Sequence, residues 1–309
     1  MKKFASIDIG SNTVRLLILE SRGRQGDFLE IDSIRRITRL GQGMDTEKRL
    51  GQGPMETTLI VLEEFKQACR KHGDIPIRAV ATSAVREAKN KDDFIRLARE
   101  RTGIDIEVIR WEEEAQLTLK GVFWKIPHRN RTILTFDIGG GSTEFILSKG
   151  DRVLGVTGTS LGTVRLTEKF ITCHPVSPAD YARLTSHIQS ELAKVKDRLP
   201  ALRPEIAIGT AGTVTTLAAL DQNIYPYDPL KVHAVSLPVD NIQKIQADLK
   251  AMSIAERLEL TPLEPGREDL IIAGTAIVLA TLAAFGCASL LVSEYSLREG
   301  IILKALQAP

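Results

Sequence analysis

Apolar and polar positions follow two kinds of pattern in the first part of the chain. Residues 3–10 and 13–21 form apolar segments of strand length. Residues 28–36 alternate between apolar and polar side chains, which is typical of a half-exposed antiparallel strand. Residues 53–73 instead repeat at helical spacing, with a proline near the start and a glycine at the end. The pattern therefore predicts a three-stranded meander followed by a helix.

The same succession of patterns then returns. Residues 77–88 predict a strand that runs into a loop and a helix, residues 104–109 a strand and residues 112–124 a helix. Around Asp137 the chain repeats the order found around Asp8, namely strand, Asp-Ile-Gly turn, strand, hairpin turn and strand. A recurring unit of this size indicates two related α/β halves. We expect them to join near residues 125–131 and to flank a cleft faced by both Asp-Ile-Gly turns.

One long uncharged segment needs a separate interpretation. Residues 270–292 carry no charge, and a segment of that length is able to span a bilayer. It contains several glycine and hydroxyl residues, and Gly286 is suited to end a helix. We therefore predict a buried helix followed by a core strand rather than a membrane span.

Composition and charge narrow the class of protein. The chain has 309 residues, of which 43% are hydrophobic and 26% charged, as in soluble two-domain proteins. Its net charge of +2 creates no overall field for nucleic acid or membrane binding, and the basic clusters at 35–39 and 128–131 are interpreted as solvated surface. Three scattered cysteines and an N-terminus that begins a strand, not a signal peptide, predict a cytoplasmic location.

Two glycine-containing turns carry the strongest chemical signal. The sequence FDIGGGSTEF at 136–145 puts three glycines between Asp137 and Glu144, and IDIGSNTVRL at 7–16 is a weaker version. Glycine has no side chain and permits positive φ, so such a turn exposes several backbone N–H groups that bind phosphate oxygens. A tight hairpin would explain one or two of the glycines but not all three.

A third glycine-rich segment occurs at residues 207–220. It follows an apolar strand and places Gly209, Gly212 and Thr213 at the start of a helix, where anions often bind. Close packing of a helix on a strand explains the same glycines equally well.

The acidic residues beside the phosphate turns require a cation. Asp8, Asp137 and Glu144 would repel phosphate, and hard divalent ions are held by one or two carboxylates together with waters and phosphates. We therefore predict Mg²⁺, with Mn²⁺ as the alternative. The nucleophile is expected to be a water molecule. Glu114, in the acidic sequence that begins the helix after residue 111, is expected to point into the cleft and take a proton from that water. Neighbouring acids and phosphates are expected to raise its pKa.

These residues together resemble one protein family. The resemblance is carried, in order, by SIDIGSNTVRLLI, ATSAVREAKN, EEEAQLTLKGV, FDIGGGSTEF, SLGTVRLTEKF, IGTAGTVTTLAAL and SLREGII. This set closely resembles the exopolyphosphatase and guanosine pentaphosphate phosphohydrolase (Ppx/GppA) family of the actin/sugar-kinase/Hsp70 superfamily, over essentially the whole chain. The resemblance implies a duplicated actin-like (RNase H-like) α/β fold with two domains flanking an active-site cleft. It also implies Mg²⁺-dependent hydrolysis of a terminal phosphoanhydride.

The resemblance assigns roles to individual residues. Glu114 matches the general base and Arg86 an arginine that clamps phosphate. Asp137 and Glu144 match acids of the metal and phosphate site, with Asp8 as a further metal ligand. The predicted phosphate ligands are Asp8, Gly10, Ser11, Asn12, Thr13, Arg15, Gly139, Gly140, Gly141, Ser142, Thr143, Gly209, Gly212, Thr213 and Arg267. Ser296 and Arg298 also match family positions, but we expect them to begin the last helix.

The resemblance is to the short, two-domain form of the family. We expect an N-terminal domain over residues 1–124 and a C-terminal domain over 125–295. A last helix at about 296–309 is expected to pack back on the first domain, as it does elsewhere in the superfamily. We also expect a homodimer, in which two clefts would form a continuous basic path.

Several functions remain open at this stage. Polyphosphate and pppGpp both end in a phosphoanhydride, so an exopolyphosphatase and a pppGpp 5′-phosphohydrolase are both consistent with the sequence. A sugar kinase of the same superfamily is disfavoured because three scattered cysteines cannot form its zinc motif. A non-catalytic polyphosphate or nucleotide sensor is the second alternative, although a sensor would not need the costly acid cluster.

Overall fold

The computed structural model of the protein describes residues 2–22, 28–124, 126, 130–150 and 152–305. The chain divides into two compact units. The first unit combines residues 1–124 with residues 296–309, and the second unit contains residues 125–295. Part of the expected link at 125–131 and the end of the expected last helix, residues 306–309, lie outside the described residues.

The first unit is a sheet covered by helices. Its elements, in chain order, are β1 (Lys3–Ile9), β2 (Thr13–Ser21), β3 (Phe28–Ile37), α1 (Met44–Glu47), α2 (Gln52–Arg70), β4 (Ile77–Ala81), α3 (Ser83–Glu87), α4 (Lys91–Thr102), β5 (Ile106–Val108), α5 (Trp111–Phe123) and, near the end of the chain, α13 (Leu297–Ala305). The strand order is β3-β2-β1-β4-β5, with β1, β2 and β3 antiparallel and β4 and β5 parallel to β1.

Alternate residues of β2 supply both faces of this sheet. Leu16 and Ile18 belong to the core under α2, whereas Leu17 and Leu19 pack with Ile302 of α13 on the opposite face. All five side chains are buried. A strand that is buried on both faces lacks the alternation of a half-exposed strand, as the apolar run in the sequence predicts.

The second unit is built in the same way. Its elements are β6 (Thr132–Ile138), β7 (Thr143–Lys149), β8 (Arg152–Thr159), α6 (Thr163–Phe170), α7 (Pro178–Arg198), β9 (Ile206–Thr210), α8 (Gly212–Asp221), α9 (Pro229–Val232), β10 (Ser236–Pro238), α10 (Val239–Ala251), α11 (Ile254–Leu258), α12 (Ile271–Phe285) and β11 (Ser289–Ser293). The strand order is β8-β7-β6-β9-β11-β10.

The two sheets share one topology. In each, three antiparallel strands precede two strands parallel to the first, and β10 adds an antiparallel edge strand in the second unit. The sequence prediction of two related βββ units followed by alternating helices and strands is therefore confirmed. Two details differ: a single residue, Thr82, separates β4 from α3 in place of the expected loop, and β5 is shorter than the strand predicted at 104–109.

The uncharged segment is a buried helix followed by a strand, as predicted. Helix α12 ends at Gly286, whose φ of 67° is left-handed, and β11 follows within the sheet. No helix among the described residues combines the length and the hydropathy that crossing a bilayer requires.

Helices α5 and α13 approach each other unusually closely in the first unit. A Cβ atom added to Gly300 would lie 1.8 Å from the carbonyl oxygen of Leu117, and one added to Gly121 would lie 1.8 Å from that of Ser296. Only residues without a side chain allow this backbone-to-backbone contact. The last helix is thereby an integral part of the first unit, because it packs on α5, β1 and β2.

We expect the substitution Asp180→Asn to lower the melting temperature at neutral pH. The carboxylate oxygen Oδ2 of Asp180 accepts hydrogen bonds from the backbone N–H and the hydroxyl of Thr172 at 2.9 and 2.8 Å, and Oδ1 accepts one from Arg183 at 2.6 Å. These bonds, that from the Thr172 backbone foremost, hold the pKa of Asp180 below its usual range. An aspartate in the unfolded chain has a pKa of about 3.9, and the stabilisation is fully present above that pH. It is lost as the pH falls through the lower pKa that Asp180 has in the folded protein.

Thermal melts between pH 7 and pH 3 check this expectation. The difference in melting temperature between the parent protein and the variant should shrink once the pH falls below about 4. A constant difference over this range would show that the carboxylate charge does not contribute.

Candidate phosphate-binding and catalytic site

The first predicted phosphate turn joins β1 to β2. The N–H group of Gly10 donates to the carbonyl oxygen of Thr13 at 3.0 Å, which closes a tight turn over Ser11 and Asn12. A Cβ atom on Gly10 would lie 3.0 Å from the same carbonyl oxygen, so this position favours glycine.

The second predicted turn joins β6 to β7 with the same geometry. The N–H group of Gly139 donates to the carbonyl oxygen of Ser142 at 2.9 Å, across Gly140 and Gly141. Strand pairing resumes at the next residue in both turns, between β1 and β2 and between β6 and β7. The sequence repeat is therefore a repeat of turn structure as well.

Both turns retain backbone N–H groups that are able to bind a ligand. Among the residues that the structure describes, the N–H groups of Ser11, Asn12, Gly140 and Gly141 donate no hydrogen bond. Backbone N–H groups at such turns are normally satisfied by water or by a bound group. Successive N–H groups in one turn form a concave site for an anion.

The charges beside the two turns differ. Asp8 lies opposite Arg15 in the β1–β2 ladder, whereas Asp137 lies opposite Glu144 in the β6–β7 ladder. Cross-strand neighbours have Cβ atoms about 4.5–5.5 Å apart, and like charges in such pairs are unfavourable. The first turn thus carries an opposite-charge pair, and the second carries a carboxylate pair that a cation would stabilise.

The pKa of Asp8 is affected by a residue of the last helix. Burial raises the pKa of Asp8, and the positive charges of Arg15 and then Arg298 oppose that rise. Arg298 is itself buried, and its guanidinium donates to the hydroxyl of Ser33 at 2.9 Å. Arg298 lies in the first turn of α13, as expected, and its positive charge in addition acts to lower the pKa of Asp8. Ser296 directly precedes α13, and its N–H group donates to the side chain of Glu299 at 2.7 Å.

The carboxylates near the turns supply only part of the ligands that a magnesium ion needs. No cluster of three or more acidic, histidine or cysteine side chains able to hold a metal occurs within the described ranges. The predicted metal ligands Asp8, Asp137 and Glu144 stay a prediction. Mg²⁺ commonly takes one or two carboxylates and completes its shell with waters and substrate phosphates. The opposed Asp137–Glu144 pair offers that donor set.

The two predicted catalytic side chains Arg86 and Glu114 are in direct contact. Nη1 of Arg86, on α3, donates to Oε2 of Glu114 at 2.7 Å and to the carbonyl oxygen of Ile109 at 3.1 Å. Glu114 lies in the first turn of α5 and is only 9% exposed. The guanidinium of Arg86 therefore lies beside Glu114, and the expected rise in the pKa of Glu114 from neighbouring acids and phosphates stays a prediction. A carboxylate held in this way is available to act as a general base toward water.

The third predicted turn brings Arg267 to a helix start. A Cβ atom on Gly212, the first residue of α8, would lie 2.1 Å from Nη1 of Arg267, so the guanidinium lies against the backbone there. Arg267 is buried and its Nε donates to Glu264 at 2.6 Å. Thr213 is enclosed from the other side, because a Cβ atom on Gly274 would lie 2.3 Å from its hydroxyl oxygen.

Two predicted phosphate ligands have other partners in the structure. Gly209 lies within β9, where a Cβ atom would lie 2.9 Å from Leu290 and from Val214, so close strand packing explains this glycine. Thr143 is fully buried, and its hydroxyl donates to the carbonyl oxygen of Leu161 at 2.5 Å. A hydroxyl has one proton, so Thr143 has none left to donate to phosphate. Gly209 is thus explained by packing, and the hydroxyl of Thr143 supports the second turn.

Comparison with known proteins gives the family. The model of the Ppx/GppA phosphatase family matches residues 18–308. Exopolyphosphatase 2 of Mycobacterium tuberculosis is 31% identical to this chain, over 98% of each protein. The chain belongs to the Ppx/GppA phosphatase family.

Solved structures agree with this Ppx/GppA assignment. A crystal structure of the Aquifex aeolicus family member matches with a TM-score of 0.83 and 35% identity, over 99% of this chain and 97% of the other. An exopolyphosphatase from Cytophaga hutchinsonii matches with a TM-score of 0.92 and 27% identity, over 99% and 98% of the two chains. The predicted family, the actin-like fold class and the prediction of a hydrolase are thereby confirmed for this Ppx/GppA phosphatase.

Proposed function

We propose that this Ppx/GppA phosphatase is an exopolyphosphatase, which removes the terminal phosphate of inorganic polyphosphate as orthophosphate with Mg²⁺. The observation that carries the proposal is the duplicated turn with ligand-ready N–H groups. Polyphosphate offers an enzyme only phosphate oxygens, and backbone N–H groups bind such oxygens without recognising any base or sugar. Full-length similarity to a protein named Exopolyphosphatase 2 supports the same substrate.

The proposed mechanism assigns a task to each side chain. The N–H groups of the two turns bind phosphate oxygens. Arg86, which lies next to Glu114, neutralises negative charge on the bound phosphate. Glu114 orients a water molecule and accepts its proton as the water attacks the terminal phosphorus in line. The bond from that phosphorus to the bridging oxygen breaks, so orthophosphate is released and the shortened polyphosphate leaves with the electron pair of the broken bond. Asp137 and Glu144 would hold Mg²⁺, which neutralises charge that develops on the transferred phosphoryl group. Positioning and electrostatics are expected to supply most of the rate enhancement.

A pppGpp 5′-phosphohydrolase is the alternative within the same chemistry. The terminal phosphoanhydride of pppGpp presents the same oxygens to the turns and to Arg86. In the first unit, Nη1 of Arg86 lies 2.7 Å from Oε2 of Glu114. A sensor that only binds phosphate would not need a general base held in this way. A hydrolase is therefore preferred to a sensor.

A phosphate-release assay separates these functions. Purified protein with Mg²⁺ should release orthophosphate from tripolyphosphate and long-chain polyphosphate faster than from pppGpp or nucleoside triphosphates. Faster release from pppGpp would replace the proposed activity with the alternative. Binding of tripolyphosphate without release from any of these compounds would leave the sensor.

A further inference from the structure

A segment after β3 lies across the first phosphate turn. We define residues 38–43 as the first strap. The N–H groups of Thr38 and Arg39 both donate to the carbonyl oxygen of Asn12, at 2.9 and 3.0 Å. The N–H group of Gly41 donates to the carbonyl oxygen of Ser11 at 2.7 Å. Two successive carbonyl groups of the turn are therefore bonded to the strap.

The second unit has a counterpart after β8, the second strap at residues 160–165, which ends in the first turn of α6. The N–H group of Thr163 donates to the carbonyl oxygen of Gly139 at 3.0 Å. Those of Val164 and Arg165 donate to the carbonyl oxygen of Gly140, at 2.9 and 3.3 Å. Again, two successive carbonyl groups of a phosphate turn are bonded to the segment that follows the third strand.

Each strap contains a leucine followed by a glycine. Leu40 and Leu161 are fully buried and anchor the two straps in the core of their own units. A Cβ atom on Gly41 would lie 3.0 Å from the Cβ atom of Ser11, and one on Gly162 would lie 2.3 Å from the carbonyl oxygen of Gly140. Glycine is therefore required at Gly162 and fits most easily at Gly41. The repeated Leu-Gly pair is the sequence feature that marks both straps.

The geometry of the peptide bond gives these contacts a consequence. In a trans peptide the carbonyl group of one residue and the N–H group of the next point in opposite directions. Bonding the carbonyl group of Ser11 to a strap therefore turns the N–H group of Asn12 away from it. In the same way, bonding the carbonyl groups of Gly139 and Gly140 turns the N–H groups of Gly140 and Gly141 outward. These are N–H groups that donate no hydrogen bond among the described residues.

We propose that the two straps are positioning segments that aim the N–H groups of the phosphate turns at the substrate. This proposal rests on the proposed function, in which the turns bind substrate phosphates. Without a strap, a turn carbonyl oxygen could rotate toward the phosphate and repel it. The hydroxyl of Thr143 belongs to the same device, because it bonds the second turn's strand to the carbonyl oxygen of Leu161 within the second strap.

Two substitutions in the second unit test the proposal with tripolyphosphate and Mg²⁺. Thr143→Val keeps the size of the side chain but removes the hydrogen bond to Leu161. It should raise KM by about tenfold, the equivalent of one net hydrogen bond, with a smaller change in kcat. Thr143→Ser restores a hydroxyl and should bring KM back toward the parent value. Gly162→Ala displaces the strap from Gly140 and should raise KM at least as much.

A matched control separates an effect on the direction of the turn N–H groups from a general loss of stability of the second unit. Gly155 lies in β8, the strand that leads into the second strap, and a Cβ atom there would lie 2.6 Å from Cδ of Pro200. Gly155→Ala should lower the melting temperature and leave KM for tripolyphosphate unchanged at temperatures where the variant is folded. The KM of the Thr143 and Gly162 variants should rise even where their melting temperatures equal that of this control.

The outcomes distinguish the two proposals. A parent-like KM for Thr143→Val, in a parent enzyme that hydrolyses tripolyphosphate, overturns the role of the straps and leaves the proposed function intact. A rise in KM for Gly155→Ala equal to that for Gly162→Ala overturns it as well, because lost stability would then account for both. A parent protein that neither binds nor hydrolyses tripolyphosphate removes the proposed function and, with it, the role of the straps.

Discussion

Replacing Glu114 with glutamine is expected to abolish orthophosphate release while leaving polyphosphate binding intact or tighter. Glutamine has nearly the same shape and keeps an oxygen that accepts the hydrogen bond from Arg86, but its amide cannot take a proton from water. Loss of a general base typically costs about 10²–10⁴-fold in rate. Binding should not weaken, because the variant carries one negative charge fewer next to an anionic substrate.

The adjacent residue provides the control. Glu113 lies in the same helical turn of α5, is more exposed, and pairs with Lys304 of α13. Glu113→Gln should therefore hydrolyse polyphosphate at the parental rate. Initial rates of phosphate release and calorimetric titration with tripolyphosphate check both variants. Parental hydrolysis by Glu114→Gln would remove Glu114 from the mechanism.

Replacing Gly300 with alanine is expected to unfold or strongly destabilise the first unit. The added Cβ atom would lie 1.8 Å from the carbonyl oxygen of Leu117 and 2.6 Å from its carbonyl carbon, so α5 and α13 would have to separate. Alanine at an open helical position stabilises by about 1 kcal/mol relative to glycine, so the expected sign is reversed here. Overpacking typically lowers the free energy of unfolding by about 1–3 kcal/mol. The loss here should lie at the upper end of that range, because the clash is with backbone atoms of Leu117, which cannot change rotamer.

Differential scanning calorimetry measures this effect. A loss of about 3 kcal/mol lowers the melting temperature by roughly 6–12 °C in a unit of this size. Phosphate release should fall together with stability, because α5 carries Glu114. Gly53→Ala is the matched control, since Gly53 lies in the first turn of α2 and a Cβ atom there has no neighbour within 4 Å. Equal melting temperatures for both variants would show that α5 and α13 tolerate a wider spacing.

The phosphate turns could be predicted because their chemistry is local. Asp8 and Asp137 begin turns whose length, glycine positions and strand pairing are all encoded within eight residues, and the same pattern occurs in both halves of the chain. The duplicated sheet followed from the same local patterns of strand and turn. Local information of this kind is read directly from the order of residues.

The contacts that complete the site could not be predicted because they are not local. Arg86 and Glu114 are 28 residues apart, and their ion pair depends on how α3 and α5 pack in the first unit. In the same way, Gly300 within a helical pattern indicates only a less stable helix until Leu117 is known to lie against it. Thr143 was assigned to phosphate because the sequence does not show that Leu161 takes its proton.

The return of α13 to the first unit constrains the order in which the protein is made. A ribosome delivers residues 1–124 first, yet the helix that covers the face of Leu17 and Leu19 arrives only after the whole second unit has been synthesised. Chains usually fold in the order in which their domains emerge. Here the earlier-made unit must wait with an open apolar surface while the later-made unit completes its core, so the second unit is expected to finish folding before the first.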